Sequence, residues 1–382
     1  MARSHDMTSG SIWRSLLGFS IPIMISNLVQ STYNAVDMLF VGRFTGTESL
    51  AAVSVCGPIM NVMIITLSGM SAGVLVVISG LLGAGDIKQA QDAAHTSVAL
   101  YALMAAVMTV LGLLFVPQIL RLVQTPAAAM PEAKRYLYTV FAGTVFTFGY
   151  NLIGALQRGL GNAAASMSFV IISSAANIAL DAVFIVWLGM GAFGAALGTV
   201  LSQVAAFVIG TVQFARGGAA LRLSARAVRF HKKHLKNILL FGVPTALNEV
   251  MVNLAMLTVS GVANSFGLAS SAAYGVGSRI NSLAIFTDGA MNQTMSAYAS
   301  QNIGAGRQKR ALEGLWKAII LSAGAALGTS LLVLGFASEF SACFDSDPAV
   351  IEQSAAFLRV TVWSYPLFTT VGPLIGFIRG TG

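Results

Sequence analysis

Ten apolar runs follow one another along the chain, at about 12–41, 50–81, 93–118, 134–157, 163–188, 192–215, 237–264, 270–300, 311–337 and 351–378. A helix needs roughly 20 apolar residues to cross the hydrocarbon of a bilayer, so runs of this length predict an all-α polytopic membrane protein. The charge content agrees, because only 9% of the 382 residues are charged, against roughly 25% in ordinary soluble domains. The polar start MARSHDMTSGS leads directly into the first apolar run, which reads as a membrane helix rather than a cleavable leader.

A net charge of +8 would suggest nucleic acid as a partner for a soluble protein, but here the basic residues must first be placed on loops. With the N-terminus in the cytoplasm, Arg3, Arg14, Lys88, Arg158, Arg216, Arg222, Arg226, Arg229, Lys232, Lys233, Lys236, Arg307, Lys309, Arg310, Lys317 and Arg379 fall on the inner face. The outer face receives Arg43, Arg121, Lys134, Arg135 and Arg359. That bias is what the positive-inside rule expects, so the charge predicts a multi-pass protein of the cell's inner membrane and excludes a nucleic-acid partner. Cys56 and Cys343 stand singly, without a CxxC or metal spacing, which predicts neither a disulfide framework nor a zinc site.

The chain repeats itself. At an offset of 221 residues, Ala51-Ala52 matches Ala272-Ala273, Gly83-Ala84-Gly85 matches Gly304-Ala305-Gly306, and Arg158-Gly159-x-Gly161 matches Arg379-Gly380-x-Gly382. Pro22 and Pro244 pair one residue away from that offset. The repeat predicts two lobes related by an axis along the membrane normal, with a transport site between them. The N-lobe takes 1–215 with helices 1–6, a basic cytoplasmic linker takes 216–236, and the C-lobe takes 237–382 with helices 7–10. The first copy continues past its RGLG for two helices, so the repeat predicts two more beyond the RGTG of the second.

Signatures of catalysis are weak. GAGD at 83–86 and GAGR at 304–307 lack the Gly-Lys-Ser/Thr of a phosphate loop, and their repetition fits equivalent tight turns. His5, His95, His231 and His234 have no paired ligand spacing and are expected to be solvated. The chain is thus expected not to be an enzyme and to hold no cofactor.

Polar residues inside the apolar runs carry more information, since such groups usually face a bundle interior or a wet cavity. Gln30, Tyr33 and Asp37 fall at spacings of three and four, hence on one helical face. Asn177 and Asp181 are four apart in NIALDAVFI, and Thr199 follows in the next run. Together they offer hard oxygen ligands suited to a proton or an alkali cation, with no soft donor. A carboxylate in hydrocarbon costs roughly 2.5–3.5 kcal/mol even on lenient scales. Asp37 and Asp181, with no basic residue in their runs but Arg14 at the start of the first, therefore call for a counter-ion and are expected to titrate as one unit. The competing reading is that both acids hydrogen-bond across helices as structural glue.

In the second half, Glu249 lies five residues after Pro244, and Asp288 lies nine after Arg279. These are secondary polar candidates, for which an ion pair between Arg279 and one acid is the structural alternative. No second acid is evident in the sequence beside Glu249. Met60, Met63, Met70, Met251, Met256, Met291 and Met295 could line a cavity, although packing explains most such methionines.

The stretches IPIMISNLVQSTYNAVDMLFVGRFTGTESLAAVSV, LLGAGDIKQA, ALQRGLGN, NIALDAVFIVWLGMGAFGAALGTVLSQ and SQNIGAGRQKRA resemble the multidrug and toxic compound extrusion (MATE) transporters over essentially the whole chain. The resemblance implies two six-helix bundles, the second truncated here after its fourth helix, forming a V with a central cavity. It further implies a monomer that exports cationic or amphipathic organic compounds against inward H+ or Na+. In the branch of that family with an N-lobe cation site, the positions matching Tyr33, Asp37, Asn177, Asp181 and Thr199 build the site, and Gln30 stands beside them. The other branch places an acid eight residues after the helix-seven proline, where this chain has Val252. Pro22 removes a backbone hydrogen bond from helix one and is the natural place for it to bend. Alternatives are a lipid-linked saccharide flippase of the same superfamily, which would call for basic residues in its cavity, and a non-transporting membrane scaffold.

Overall fold

The computed structural model describes residues 6–216, 221–284 and 286–382; Arg3, His5 and the linker residues 217–220 lie outside them. The described residues hold helices and no strand. In chain order they are α1 (Ile12–Phe44), α2 (Thr47–Gly83), α3 (Ile87–Leu122), α4 (Met130–Gly159), α5 (Ala163–Asp181), α6 (Gly191–Arg216), α7 (Lys232–Ser265), α8 (Leu268–Ala284), α9 (Thr287–Gly304), α10 (Gln308–Ala342), α11 (Pro348–Thr361) and α12 (Tyr365–Thr381). Eight of the described helices, α1–α7 and α10, are long and apolar enough to cross a membrane, α5 counted with the π-helical turn Ala182–Trp187 that extends it.

Two of the apolar runs are not single helices. The run at 270–300 is divided between α8 and α9, and that at 351–378 between α11 and α12. The second break has a clear local cause: a 3-10 turn at Val362–Ser364 precedes Pro366, which has no N–H to continue a helix but suits the first turn of a new one. At the first, Asp288 lies in the opening turn of α9, where a carboxylate complements the positive end of the helix dipole. Both breaks occur where the first copy, in α2 and α4, is continuous.

The chain forms two compact units whose limits lie inside helices. One takes in Ile25–Ala246 and the other Met7–Met24 with Leu247–Gly382. Each boundary falls two residues past a proline, Pro22 in α1 and Pro244 in α7.

In the first unit α4 packs against α2, α3 and α6, and its core gathers Leu67, Val74 and Ile78 from α2, Tyr101 from α3, Phe148 and Leu156 from α4, and Ile238 from α7. The residues after 220 dock on the start of α3: Gln91 accepts the Arg222 N–H at 2.7 Å and donates to the Arg222 carbonyl, and His95 accepts from Ser224 N. That docking corrects the expectation of solvated histidines. His95 and His234 are buried, and His231 lies 3.7 Å from Asp92.

In the second unit α9 lies between α10 and α12, and α11 packs on α8. The segment before α1 is gripped by the α9–α10 turn. Met7 N–H donates to Gln301 Oε1 at 2.8 Å, Arg310 donates to the carbonyls of Met7, Ser9 and Gly10, and Arg307 donates to that of Thr8. The two glycine-rich turns are the same turn twice, with Gly85 at φ 74° and Gly306 at φ 71°, a left-handed conformation that glycine adopts without strain.

Candidate cation-coupling site

The first unit brings the predicted oxygen donors together. Gln30 and Tyr33 from α1, Asn177 from α5 and Thr199 from α6 line one narrow cavity of about 20 Å³. Tyr150 of α4, Ser173 and Ser174 of α5, and Ser202 and Gln203 of α6 complete its polar wall. A water-sized guest needs roughly 10–15 Å³ on this measure, so the cavity suits water or a small ion and is too small for an organic compound.

Asp37 and Asp181 are not on the wall of that cavity but lie within electrostatic reach of each other and of Tyr33. Asp181 is fully buried and Asn177 is 1% exposed. Among the buried polar atoms that have no hydrogen-bond partner among the described residues, five belong to this site: Asp37 Oδ1, both carboxylate oxygens of Asp181, and both amide atoms of Asn177. The cross-helix bonds that a structural-glue role would need are therefore not made by these atoms. Each such orphan costs about 1–3 kcal/mol, more where it is charged, and a hard cation or protons would satisfy oxygens of this kind.

Local backbone explains the placement. Asp181 is the last residue of α5 proper, and the π-helical turn that follows shifts the register of the chain behind it. On α6, Gly198 faces the carboxylate so closely that a Cβ there would strike Asp181 Oδ1. The sequence reading missed Gly198, although it immediately precedes Thr199. It also missed Tyr150 and Gln203; Gln203 lies four residues after Thr199, a spacing that could have shown it.

In the second unit the ion pair offered as the structural alternative for Glu249, Asp288 and Arg279 is not made among the described residues. Arg279 is exposed, and among the described residues it forms no ion pair with either acid. Arg379, not Arg279, is the cation near them. Its Nη1 donates to Asn292 Oδ1 at 2.9 Å, and it lies within electrostatic reach of Glu249. Glu249 in turn acts on Asp288, whose Oδ1 accepts the Gly372 N–H at 2.8 Å, so Glu249 does have a second acid beside it. Arg158, the repeat equivalent of Arg379, is likewise no loop charge: it lies in the last turn of α4 and its Nη1 donates to Ser166 Oγ at 3.0 Å. Charge counting along the sequence could not see either arginine fold back into its unit. Among the described residues no group of three or more His, Cys, Asp or Glu could hold a metal ion. Pro22 is buried within α1, which carries on through it.

A family model described as MatE matches residues 22–183 and again 244–382, one block for each copy of the repeat. The chain belongs to this MATE family. It is accordingly a multi-span membrane transporter and not an enzyme. Probable multidrug resistance protein YoeA of Bacillus subtilis (strain 168) is 29% identical over 97% of this MATE chain and 82% of its own length. Probable multidrug resistance protein YpnP of the same strain is 27% identical over all of the chain and 85% of its own. The crystal structure of MATE in complex with MaD3S superposes with a TM-score of 0.94 at 25% identity, covering 100% of this chain and 85% of that one. The outward-facing conformation of a multidrug resistance MATE family transporter of the MOP superfamily gives 0.90 at 26% identity, with the same coverage.

Proposed function

We propose that this MATE chain is a secondary antiporter that exports cationic or amphipathic organic compounds in exchange for H+ or Na+, and that Asp37 and Asp181 read the coupling cation. The observation that carries the reading is the set of buried, unpartnered oxygens on Asp37, Asp181 and Asn177. Tyr33, Thr199 and Gln30 on the adjoining cavity would complete the oxygen shell. Two neighbouring carboxylates in a poorly solvated site titrate as a pair and favour an added positive charge. A conformation that accepts the cation and one that does not then differ in free energy, and an organic substrate with the opposite preference is driven outward by linkage. The small volume beside the acids keeps that organic substrate out of the cation site itself. The names of the curated relatives, which include a multidrug export protein of Staphylococcus aureus, support an organic substrate.

The protein is placed by this reading in the plasma membrane, with its N-terminus and the 216–236 linker in the cytoplasm, because those loops hold most of the basic charge. The test is efflux from proteoliposomes in which a sodium gradient and a pH gradient are imposed separately. Substrate flux driven by one of them is expected; flux indifferent to both would remove the antiport reading.

A further inference from the structure

Lys232, Leu235, Lys236, Leu239 and Leu240, in the first turns of α7, are spaced so that all five share one helical face. They form an open strip on the surface of the first unit. The opposite face, with His234, Ile238 and Gly242, is buried. It meets α2 so closely that a Cβ on Gly73 would strike the Ile238 carbonyl. The rotation of α7 is fixed by that contact, and the lysine-leucine strip faces outward. Leu235 and Leu239 are half-buried against the core, and Leu240 is 59% exposed.

The three lysines here differ in what they touch. Lys233 donates to Gln89 Oε1 at 2.9 Å, with Asp86 nearby. Lys232 and Lys236 have neither a hydrogen bond nor an ion pair among the described residues, and the first turn of α7 contains no acid. A helix start carries positive partial charge, so two unpaired ammonium groups there are opposed by the helix itself. An anion at this point would be attracted by all three sources of positive charge. Directly beyond Lys236 the same face turns wholly apolar, over about 6 Å to Leu240 at 1.5 Å per residue.

We propose that this face binds one anionic phospholipid, its phosphate held between Lys232 and Lys236 and one acyl chain laid along Leu235, Leu239 and Leu240. Charge and apolar length occur here in the order a lipid presents them at a membrane surface, headgroup first and chain inward. A zwitterionic lipid brings its own ammonium to the same lysines and is disfavoured. At the repeat-equivalent positions before and in α1, Gly10, Trp13, Arg14, Leu17 and Gly18, glycine replaces Lys232 and Leu240, and the Trp13 ring is already covered by Lys317 Nζ at 5.9 Å from its centre. The inference therefore assigns one lipid per chain, not two.

The experiment is native mass spectrometry of the full chain released from detergent, with phosphatidylglycerol, phosphatidylethanolamine of the same acyl chains, or glycerol 3-phosphate added. One retained phosphatidylglycerol is expected, with weaker phosphatidylethanolamine and negligible glycerol 3-phosphate. The K232Q/K236Q variant should bind phosphatidylglycerol roughly tenfold more weakly, while Lys233→Gln should bind it as the unaltered chain does. In parallel, phosphatidylglycerol should raise the thermal midpoint of the unaltered chain by mass action and leave that of the double variant unmoved. If the double variant does not fold, Lys236→Gln alone gives the same comparison with a smaller loss. Equal retention by variant and unaltered chain, equal binding of the two lipids, or glycerol 3-phosphate bound as tightly as the lipid would each overturn the proposal.

Discussion

In the first unit Asp37 lies within electrostatic reach of Asp181 with no cation among the described groups acting on either, whereas in the second Glu249 lies within reach of Arg379 and Asp288 accepts a backbone N–H. The two regions descend from one repeated unit, yet one leaves its acids unsatisfied and the other compensates them from within. A buried acid with a built-in counter-charge has little need of a bound ion, while a pair without one gains by taking a proton or an alkali cation. The contrast is thus between a region suited to exchanging a cation and one suited to holding its shape. It explains why two sets of membrane-embedded carboxylates in one chain need not share a role.

The largest effect should follow from cancelling charge in the uncompensated pair. Asp37→Asn or Asp181→Asn keeps the size and hydrogen-bonding capacity of the side chain and removes the charge that the cation would read. Cation-driven efflux at matched expression should fall to that of protein-free vesicles, with the thermal midpoint preserved. Efflux coupled as in the unaltered chain in both variants would break the comparison at its first term.

A sharper version places one methyl group in each region. At Gly198 an added Cβ would clash with Asp181 Oδ1, while Asp181 Cγ at 3.5 Å and the Asp181 backbone N at 3.6 Å are at ordinary contact, so the side chain must move more than the fold. At Gly372 the added Cβ lies 2.6 Å from the Asp288 carbonyl oxygen and 2.8 Å from its Cγ, so backbone must move as well. Gly198→Ala should cut efflux strongly at nearly unchanged stability, and Gly372→Ala should cost about 1–3 kcal/mol, the usual range for overpacking. Thermal midpoints and efflux measured side by side check both; the reverse pattern would exchange the roles of the two regions.

How much of this was legible in the sequence follows the same division. The one-face spacing of Gln30, Tyr33 and Asp37 and the pair in NIALD are local patterns, and the fold brings them to neighbouring positions in the first unit. The partners of the second region are not local. Arg379 is 87 residues from Asn292, and Gly372 is 84 from Asp288, so nothing in a window of sequence joins them, and Arg279 looked the better candidate only because it was nearer in the chain. The breaks inside 270–300 and 351–378 were hidden because both flanks stay apolar, and hydropathy does not register a helix that ends and restarts. The limits of the two units were hidden for a different reason: a boundary within a helix leaves no change in composition to read.

A moderate effect is expected from disturbing the compensation itself. Arg379→Gln removes the cation beside Glu249 and the donor to Asn292, and should cost about 1–2 kcal/mol of stability. Glu249→Gln should cost less, because Asp288 keeps its backbone N–H and Arg379 keeps Asn292. If the three groups act as one balanced set, the double variant will be less damaged than the sum of the two single ones. Strict additivity of the three thermal midpoints would show that the set is not coupled.

The smallest effect concerns the repeated turn, where position 86 of the first copy corresponds to 307 of the second. Asp86 caps α3: its carboxylate accepts the Gln89 N–H at 2.9 Å, and the Gln89 backbone and side-chain donors hold its pKa below the ordinary carboxylate value. Arg307 offers no side-chain cap to α10 and instead donates to the Thr8 carbonyl. Because the folded-state pKa of Asp86 is depressed, its contribution is complete above the unfolded value near 3.9 and is lost as pH falls through the folded one. Asp86→Asn, which still offers a cap oxygen, should be nearly neutral at pH 7, and Asp86→Ala should lower the thermal midpoint slightly. The difference between the unaltered chain and Asp86→Ala should narrow only below about pH 4. Arg307→Ala should instead loosen the segment before α1 by removing the donor to the Thr8 carbonyl, read as faster amide exchange at Ser9 and Gly10. The same left-handed glycine turn would then serve two ends, a helix cap in one copy and a clasp in the other. An Asp86→Ala variant that speeds exchange before α1 as much as Arg307→Ala does would erase that distinction.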